Sequence, residues 1–468
     1  MKPDTKALKK LKRKHSKNPD DRGVALVKRL LLSYSPGWLV VWVLRKYFVK
    51  SDYKAARESI KFFQLSNRAY GTGKRLKAQR LLTIALRLLG DRLPKSYTSL
   101  LHSALAGTLK DSTTRNSNSN SILSATKDVP VEIFDASSWY QLSRGLFSLG
   151  YFRAAWVARG NSLDLSISES LKPDCSSTVL ERGLQALFER EEYNKVRNIL
   201  AQKQDREFNF DLILNLIYDS LRREDIDEKS KYAQGEKLLN ELIANKVVAL
   251  VGPGVQDGLY GSEIDSADTV FRVRFGGTEY LEQETVGSRC EIAQYNDISA
   301  IRELSSMSGD SEFFDSVKLI VVFADIPTSK LRNTQLVSVL LDLPVYRSTA
   351  TSGLVNLVAV IKNSPAHLKV YGFDFYSRVE QYGSYVLDFY RVSGWKFGST
   401  YSAIFRNGRL SSSVIAKSFS AHDPVSNFCF AQNLYKAGLF EIEPYGKSIL
   451  ELTPYQYVER LEEMLGDW

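Results

Sequence analysis

The chain has 468 residues, 44% of them hydrophobic and 25% charged, which excludes a disordered or fibrous protein and leaves room for two or three domains. Three scattered cysteines, Cys175, Cys290 and Cys429, exclude a disulfide framework or a metal knuckle and suit a reducing cytoplasm. The net charge of +10 is local: residues 1–50 carry 14 Lys+Arg against 3 Asp, and the rest of the chain holds 49 basic against 50 acidic residues.

In chain order, the basic arm (KALKKLKRKHSK) comes first and adjoins the apolar run 35–44 (SPGWLVVWVL). That run is too short to cross a bilayer, which needs about 20 residues. Two readings stay open: an arm lying on the anionic inner face of the cytoplasmic membrane, or a solvated arm beside a core helix. Nucleic acid is not an expected partner, because no groove-reading fold surrounds these charges. No small-residue cleavage site follows a suitable apolar core, so a cytoplasmic protein is expected.

From 51 to 245 the pattern predicts helix after helix: 53–69, 74–89, 97–109, 137–149, 151–162, 176–189, 193–203, 210–222 and 231–245. An echo between RGLFSLGY (144–151) and RGLQALF (182–188) suggests a tetratricopeptide-like helical repeat, with an irregular helical domain as the competing reading. The Ser/Thr/Asn-rich stretch 111–127 has little to bury and is expected to be a mobile insert. Composition shifts at Lys246, where the boundary to a second domain, 246–468, is drawn.

There the chain alternates in the α/β manner. Strands are predicted at 247–251, 269–275, 291–295, 318–323, 345–347 and 369–373, and helices at 298–305, 331–341, 353–362 and 425–437. Gly252 and Gly254 follow the first strand and leave backbone bare where a ligand or helix approaches. Ser352 and Gly353 open a predicted helix, where hydroxyl and amide groups can hold an anion. His422 stands just before another helix, and its imidazole titrates near neutrality, as a general base requires. A capping turn is the competing reading there, with Asp423 as N-cap and Pro424 at N1.

Three ordered segments carry a family resemblance. The first is Val251-Gly252-Pro253-Gly254, then Gly261-Ser262-Glu263-Ile264-Asp265, Asp268, Val270, Arg272 and Val286-Gly287-Ser288-Arg289. The second is Thr351-Ser352-Gly353, a helix, and a strand ending Tyr371-Gly372-Phe373. The third is Ala421-His422-Asp423. Together they resemble the large, small and histidine motifs of the animal-type sialyltransferases, over roughly the last half of the chain. Pro253, and Arg274 or Phe275, stand where the family has nucleotide-contacting asparagines. Cysteines of the family's disulfide are absent, Asp388-Phe389-Tyr390 replaces an aromatic motif that begins with histidine, and Ser426 replaces a glutamate.

The resemblance implies a modified Rossmann-like (GT-A-variant) domain and an inverting, metal-independent transfer of an acidic sugar, sialic acid or Kdo, from its CMP ester to a glycan or glycolipid acceptor. Capsule or lipopolysaccharide assembly would be its setting, with no cofactor beyond the CMP-sugar donor. Implied donor contacts are Gly252, Pro253, Gly254, Arg272, Arg274, Thr351, Ser352, Gly353, Tyr371, Gly372, Phe373 and Tyr390, with main-chain amides of the glycine turns on the phosphate and His422 as base. Glu263 and Asp265 are expected to fix a loop, and Asp325 and Asp374 follow strands too singly to suggest a metal site. A non-catalytic helical-repeat interaction protein with a degenerate nucleotide-binding domain is the alternative.

Overall fold

The computed structural model describes residues 81, 115–148, 151–202, 233–273, 275, 281–295, 317–322, 329–331, 334–338, 343–348, 350–378 and 422–466. The basic arm, the helices expected at 53–69, 74–89, 97–109, 210–222 and 298–305, and the residues Arg274, Asp325, Asp388, Phe389 and Tyr390 lie outside this set, apart from Leu81.

Six helices precede the sheet: α1 (Arg115–Lys127), α2 (Ala136–Ser148), α3 (Phe152–Ser170), α4 (Ser177–Glu189), α5 (Tyr193–Gln202) and α6 (Ala233–Ile243). Helix α4 shows why such stretches fold. Ser176 caps it through Oγ, which accepts from the Val179 amide at 3.3 Å, and Leu180, Leu184, Leu187 and Phe188 recur on one face and are buried. Each such side chain contributes about 1.5–3 kcal/mol. Helix α1 overturns the expectation of a mobile insert at 111–127. Its Ser/Asn composition is indifferent to helix formation, but Ile122 and Thr126 are buried and the Ser119 hydroxyl donates to Glu462 on the last helix. Tertiary anchoring decides where local propensity does not.

Beyond α6 come β1 (Val247–Val251), α7 (Gly261–Ser266), β2 (Thr269–Val273), α8 (Gln283–Val286), β3 (Ile292–Tyr295), β4 (Leu319–Val322), β5 (Ser329–Leu331), β6 (Thr334–Ser338), α9 (Ser352–Lys362), β7 (His367–Tyr371), α10 (Pro424–Lys436), β8 (Glu441–Ile442), α11 (Pro444–Leu450) and α12 (Pro454–Gly466). The sheet order is β5-β6-β4-β3-β2-β1-β7-β8. Every pairing is parallel except the β5/β6 edge hairpin.

Two expectations fail here. Within the helix expected at 331–341, Leu331 ends β5 and Thr334–Ser338 is a strand between β4 and β5, since a short run of mixed character fits either period and neighbouring strands decide. Residues 345–347 are not a strand but lead into a turn. The acidic end of the chain, β8 with α11 and α12, was not anticipated.

The chain runs outward from β1 through β2, β3, β4 and β6, then returns on the other side of β1 as β7. The strand order therefore reverses between β1 and β7, and in open α/β sheets that is where the carboxyl ends leave a crevice. One continuous hydrophobic cluster joins Leu146, Phe147, Leu184 and Phe188 of the early helices to Val248 and Val370 of the sheet and to Phe430 and Leu461 of the late helices. The described helices and the sheet are thus built on a shared core. No helix among the described residues is long and apolar enough to cross a membrane.

Candidate functional site

The three motif-like segments meet at the β1/β7 reversal, although not in the way the glycines suggested. Gly252 N–H donates to Tyr371 O at 2.7 Å, and Gly254 N–H donates to Gly372 O at 3.0 Å. These amides extend the β1/β7 ladder and do not point at a ligand, which corrects the expected phosphate grip. A Cβ at either glycine would sit 2.5 Å from the Gly372 carbonyl oxygen. Glycine is required because two backbones run in contact, and Gly372 itself turns with φ +65°.

The Phe373 ring then fills the space between β1 and α9. A Cβ on Gly252 would fall 2.6 Å from its Cδ2, and a Cβ on Gly353 would fall 2.8 Å from its Cε1. Thr351 caps α9, its Oγ1 accepting from the Leu354 amide at 3.4 Å. Pro253, Ser352 and Gly353 are half-buried at this edge, and Tyr371 lies buried at the end of β7.

Other motif residues build scaffold. Arg272, expected at the donor phosphate, is 2% exposed and donates through Nε to Arg289 O and through Nη2 to Val286 O, both at 2.6 Å. Asp265 fixes the 286–289 loop, as expected: its carboxylate accepts from the Ser288 amide (2.8 Å) and hydroxyl (2.8 Å) and from the Arg289 amide (3.0 Å). Burial alone would raise that carboxyl, but these backbone bonds outweigh it and hold the group below its ordinary range. Gly287 adopts φ +72° beneath the same carboxylate. Glu263 pairs with Lys369.

His422 is half-buried, two residues ahead of α10. Asp423 is the N-cap, accepting from the amides of Val425 (3.0 Å) and Ser426 (3.2 Å), with Pro424 at the start; the capping role holds. This segment is tied to the entrance of α9. Asp423 N–H donates to Ser348 Oγ at 2.9 Å, and the Thr351 amide donates to Asn427 Oδ1 at 2.7 Å.

From behind, the Asp423 carboxylate receives Arg159 and the Tyr140 hydroxyl at 3.1 Å. Arg159, fully buried, also bonds Glu189 and Ser426. Ser426, which stands where the family has a glutamate, therefore belongs to this ion cluster, joined there by Glu189 from α4. Burial would raise the Asp423 carboxyl; the charges of Arg159 and Arg144 outweigh that and keep it below its ordinary range.

Sequence reasoning missed a second set of groups at the same edge. Asp374 and Arg378 follow β7, Glu443 follows β8 and Gln256 follows β1. Glu443 is 2% exposed. Glu443 Oε2, Asp374 Oδ2, Arg378 Nε and both carboxamide atoms of Gln256 are buried with no hydrogen-bond partner among the described residues. Burial pushes the Asp374 carboxyl up to about 7 and the Glu443 carboxyl up to about 8, against the pull of Arg378. The intervening loop is strained, with Phe375 at φ 50° and Tyr376 at φ 61°, and such strain gathers at functional sites. Arg378 is held over the Tyr445 ring, 3.4 Å from its centroid, and against Asp257.

Among the described residues no group of three or more His, Cys, Asp or Glu is arranged to hold a metal ion. Comparison of the chain with protein-family models, with curated proteins and with solved structures finds no match to any of them.

Proposed function

We propose that the protein transfers an acidic sugar, sialic acid or Kdo, from its CMP ester to a glycan or glycolipid acceptor, in the cytoplasm or on the inner face of the cytoplasmic membrane. One observation carries this reading. Segments separated by about 20 to 120 residues in sequence, 252–254, 351–353 and 371–373, converge on the Phe373 ring at the strand-order reversal, and the His422–Asp423 turn is bonded to Ser348 in the loop that enters the same helix.

The chemistry follows from the groups available. With the glycine-turn amides engaged in the ladder, the donor phosphate faces the amino end of α9 at Ser352 and Gly353, where helix amides favour an anion. The acceptor hydroxyl oxygen attacks the anomeric carbon as the bond from that carbon to the phosphate oxygen breaks. CMP departs as a phosphate monoester, and His422 takes the hydroxyl proton. Such a displacement inverts the anomeric centre, and a monoester leaving group does not call for a metal. Asp374 and Glu443, kept protonated near neutrality, offer hydrogen bonds to sugar or ribose hydroxyls without repelling an anionic donor.

Calorimetric titration with CMP, CMP-sialic acid and CMP-Kdo tests the binding half; absence of binding by all three overturns the proposal. Donor hydrolysis tests the chemical half, with His422→Ala expected to lose a factor of about 10²–10⁴. Binding without turnover in the wild type would favour the non-catalytic alternative.

A further inference from the structure

The peptide group that follows His422 is held at both ends by side chains from different layers. Its carbonyl, His422 O, accepts from Arg144 Nη2 on α2 at 2.8 Å. Its amide, Asp423 N–H, donates to Ser348 Oγ at 2.9 Å, in the loop that enters α9. A peptide unit is planar, so two bonds at opposite edges fix its orientation and with it the position of the His422 Cα. That Cα is the anchor from which the His422 imidazole projects.

Arg144 is itself located by the ion cluster, its Nη1 standing 3.9 Å from Asp423 Oδ1. We infer that Arg144, from the helices that precede the sheet, is a positioning residue for the imidazole of His422, with Ser348 as its counterpart on the sheet side.

This rests on the assignment of His422 as the base. It gives the helical layer a task in that reaction: the layer aims the proton-accepting group. Arg144 touches no reacting atom in this account and acts only through the 422–423 peptide. Misplacing a reacting group by about 1 Å costs up to about 10² in rate, so the effect belongs in kcat, with donor affinity largely kept.

The test uses the full-length chain with Arg144→Met, Arg144→Lys and Ser348→Ala. Arg153→Met serves as control, because Arg153 forms an ion pair with Glu462 rather than with this turn. Two readouts are taken. The first is the imidazole carbon–proton resonance of His422 through a pH titration, assigned by its disappearance in His422→Gln. The second is CMP-sugar turnover.

In Arg144→Met the His422 resonance and its titration midpoint should move and kcat should fall about 30–100-fold, with KM within about threefold. Arg144→Lys should recover part of both, and Arg153→Met should change neither. If Arg144→Met fails to fold, Ser348→Ala carries the same expectation from the other side of the peptide. A wild-type His422 resonance and a kcat within twofold in Arg144→Met and Ser348→Ala would overturn the inference. Should the wild type neither bind CMP nor turn over a CMP-sugar, the proposed function fails, while the resonance still decides whether Arg144 positions His422.

Discussion

Arg159→Met removes the cation shared by two carboxylates in a nearly solvent-free cluster. The Arg159 and Asp423 side chains are both 0% exposed and that of Glu189 is 6% exposed. After the substitution Asp423 keeps the Tyr140 hydroxyl and the amides of Val425 and Ser426, and Glu189 keeps the Ser426 hydroxyl at 3.0 Å. Glu189 nevertheless loses the cation it shares with Asp423, and Asp423 is left with Arg144 alone, 3.9 Å away. Removing one partner of a buried pair costs about 3–5 kcal/mol, a large share of a typical stability of about 5–15 kcal/mol. Urea denaturation read by tryptophan fluorescence measures it directly, and the melting temperature should drop by about 3–5 °C.

The pH dependence supplies the sharper check. Asp423 is depressed in the native state, so its stabilising share is present above its unfolded pKa of about 4 and lost as pH falls through the lower native value. The gap between wild type and variant should be widest at pH 6–8 and close as pH falls below about 4. A triple variant, Arg159→Met with Asp423→Asn and Glu189→Gln, should regain part of the loss, because it leaves no unpaired charge. A deficit below about 1 kcal/mol, or one that is constant with pH, would refute the cluster's assigned role.

Three further outcomes are expected. Gly254→Ala pushes a Cβ to 2.5 Å from the Gly372 carbonyl oxygen and should destabilise by about 1–3 kcal/mol, read as a lower urea midpoint. A wild-type midpoint would show that the two turns can separate. Asp374 and Glu443 have native pKa values raised to about 7 and about 8. The folded state therefore binds more protons than the unfolded one between roughly pH 4 and pH 8, and stability should fall as pH rises through that range. Asp374→Asn with Glu443→Gln should flatten this fall, which urea midpoints at pH 5, 7 and 9 would record. Asp265→Ala strips the acceptor from the Ser288 and Arg289 amides and should cost about 1–3 kcal/mol; an unchanged midpoint would mean the 286–289 loop holds without it.

Much of the sheet was legible because buried parallel strands read as unbroken apolar runs. Val247–Val251 and Leu319–Val322 are examples, and Asp423-Pro424 announced the start of α10. The strand Thr334–Ser338 was not legible, since five residues of mixed character fit a helical face equally well until β4 and β5 claim them. Nor was α1, which is held by packing on α3 and by Glu462 on the last helix. At the site, position along the chain was readable and direction was not. The glycines were located correctly, but whether an amide points at a ligand or at a neighbouring strand depends on β7, which lies more than a hundred residues on. Asp374 alone after a strand carried no message; only β8 brings Glu443 beside it. Arg159 is a single charge in an ordinary-looking helix until Glu189 and Asp423 close around it.

The hydrophobic cluster common to the early helices and the sheet sets a limit on how this chain can be divided. Phe188 packs against Phe430 with ring centroids 5.3 Å apart, so a fragment beginning at Lys246 would leave α10 with an uncovered aromatic face. Evolution could therefore not have swapped the amino-terminal half as a module without repacking the carboxy-terminal one. Any attempt to isolate the sheet as a separate unit must carry α2, α3 and α4 with it.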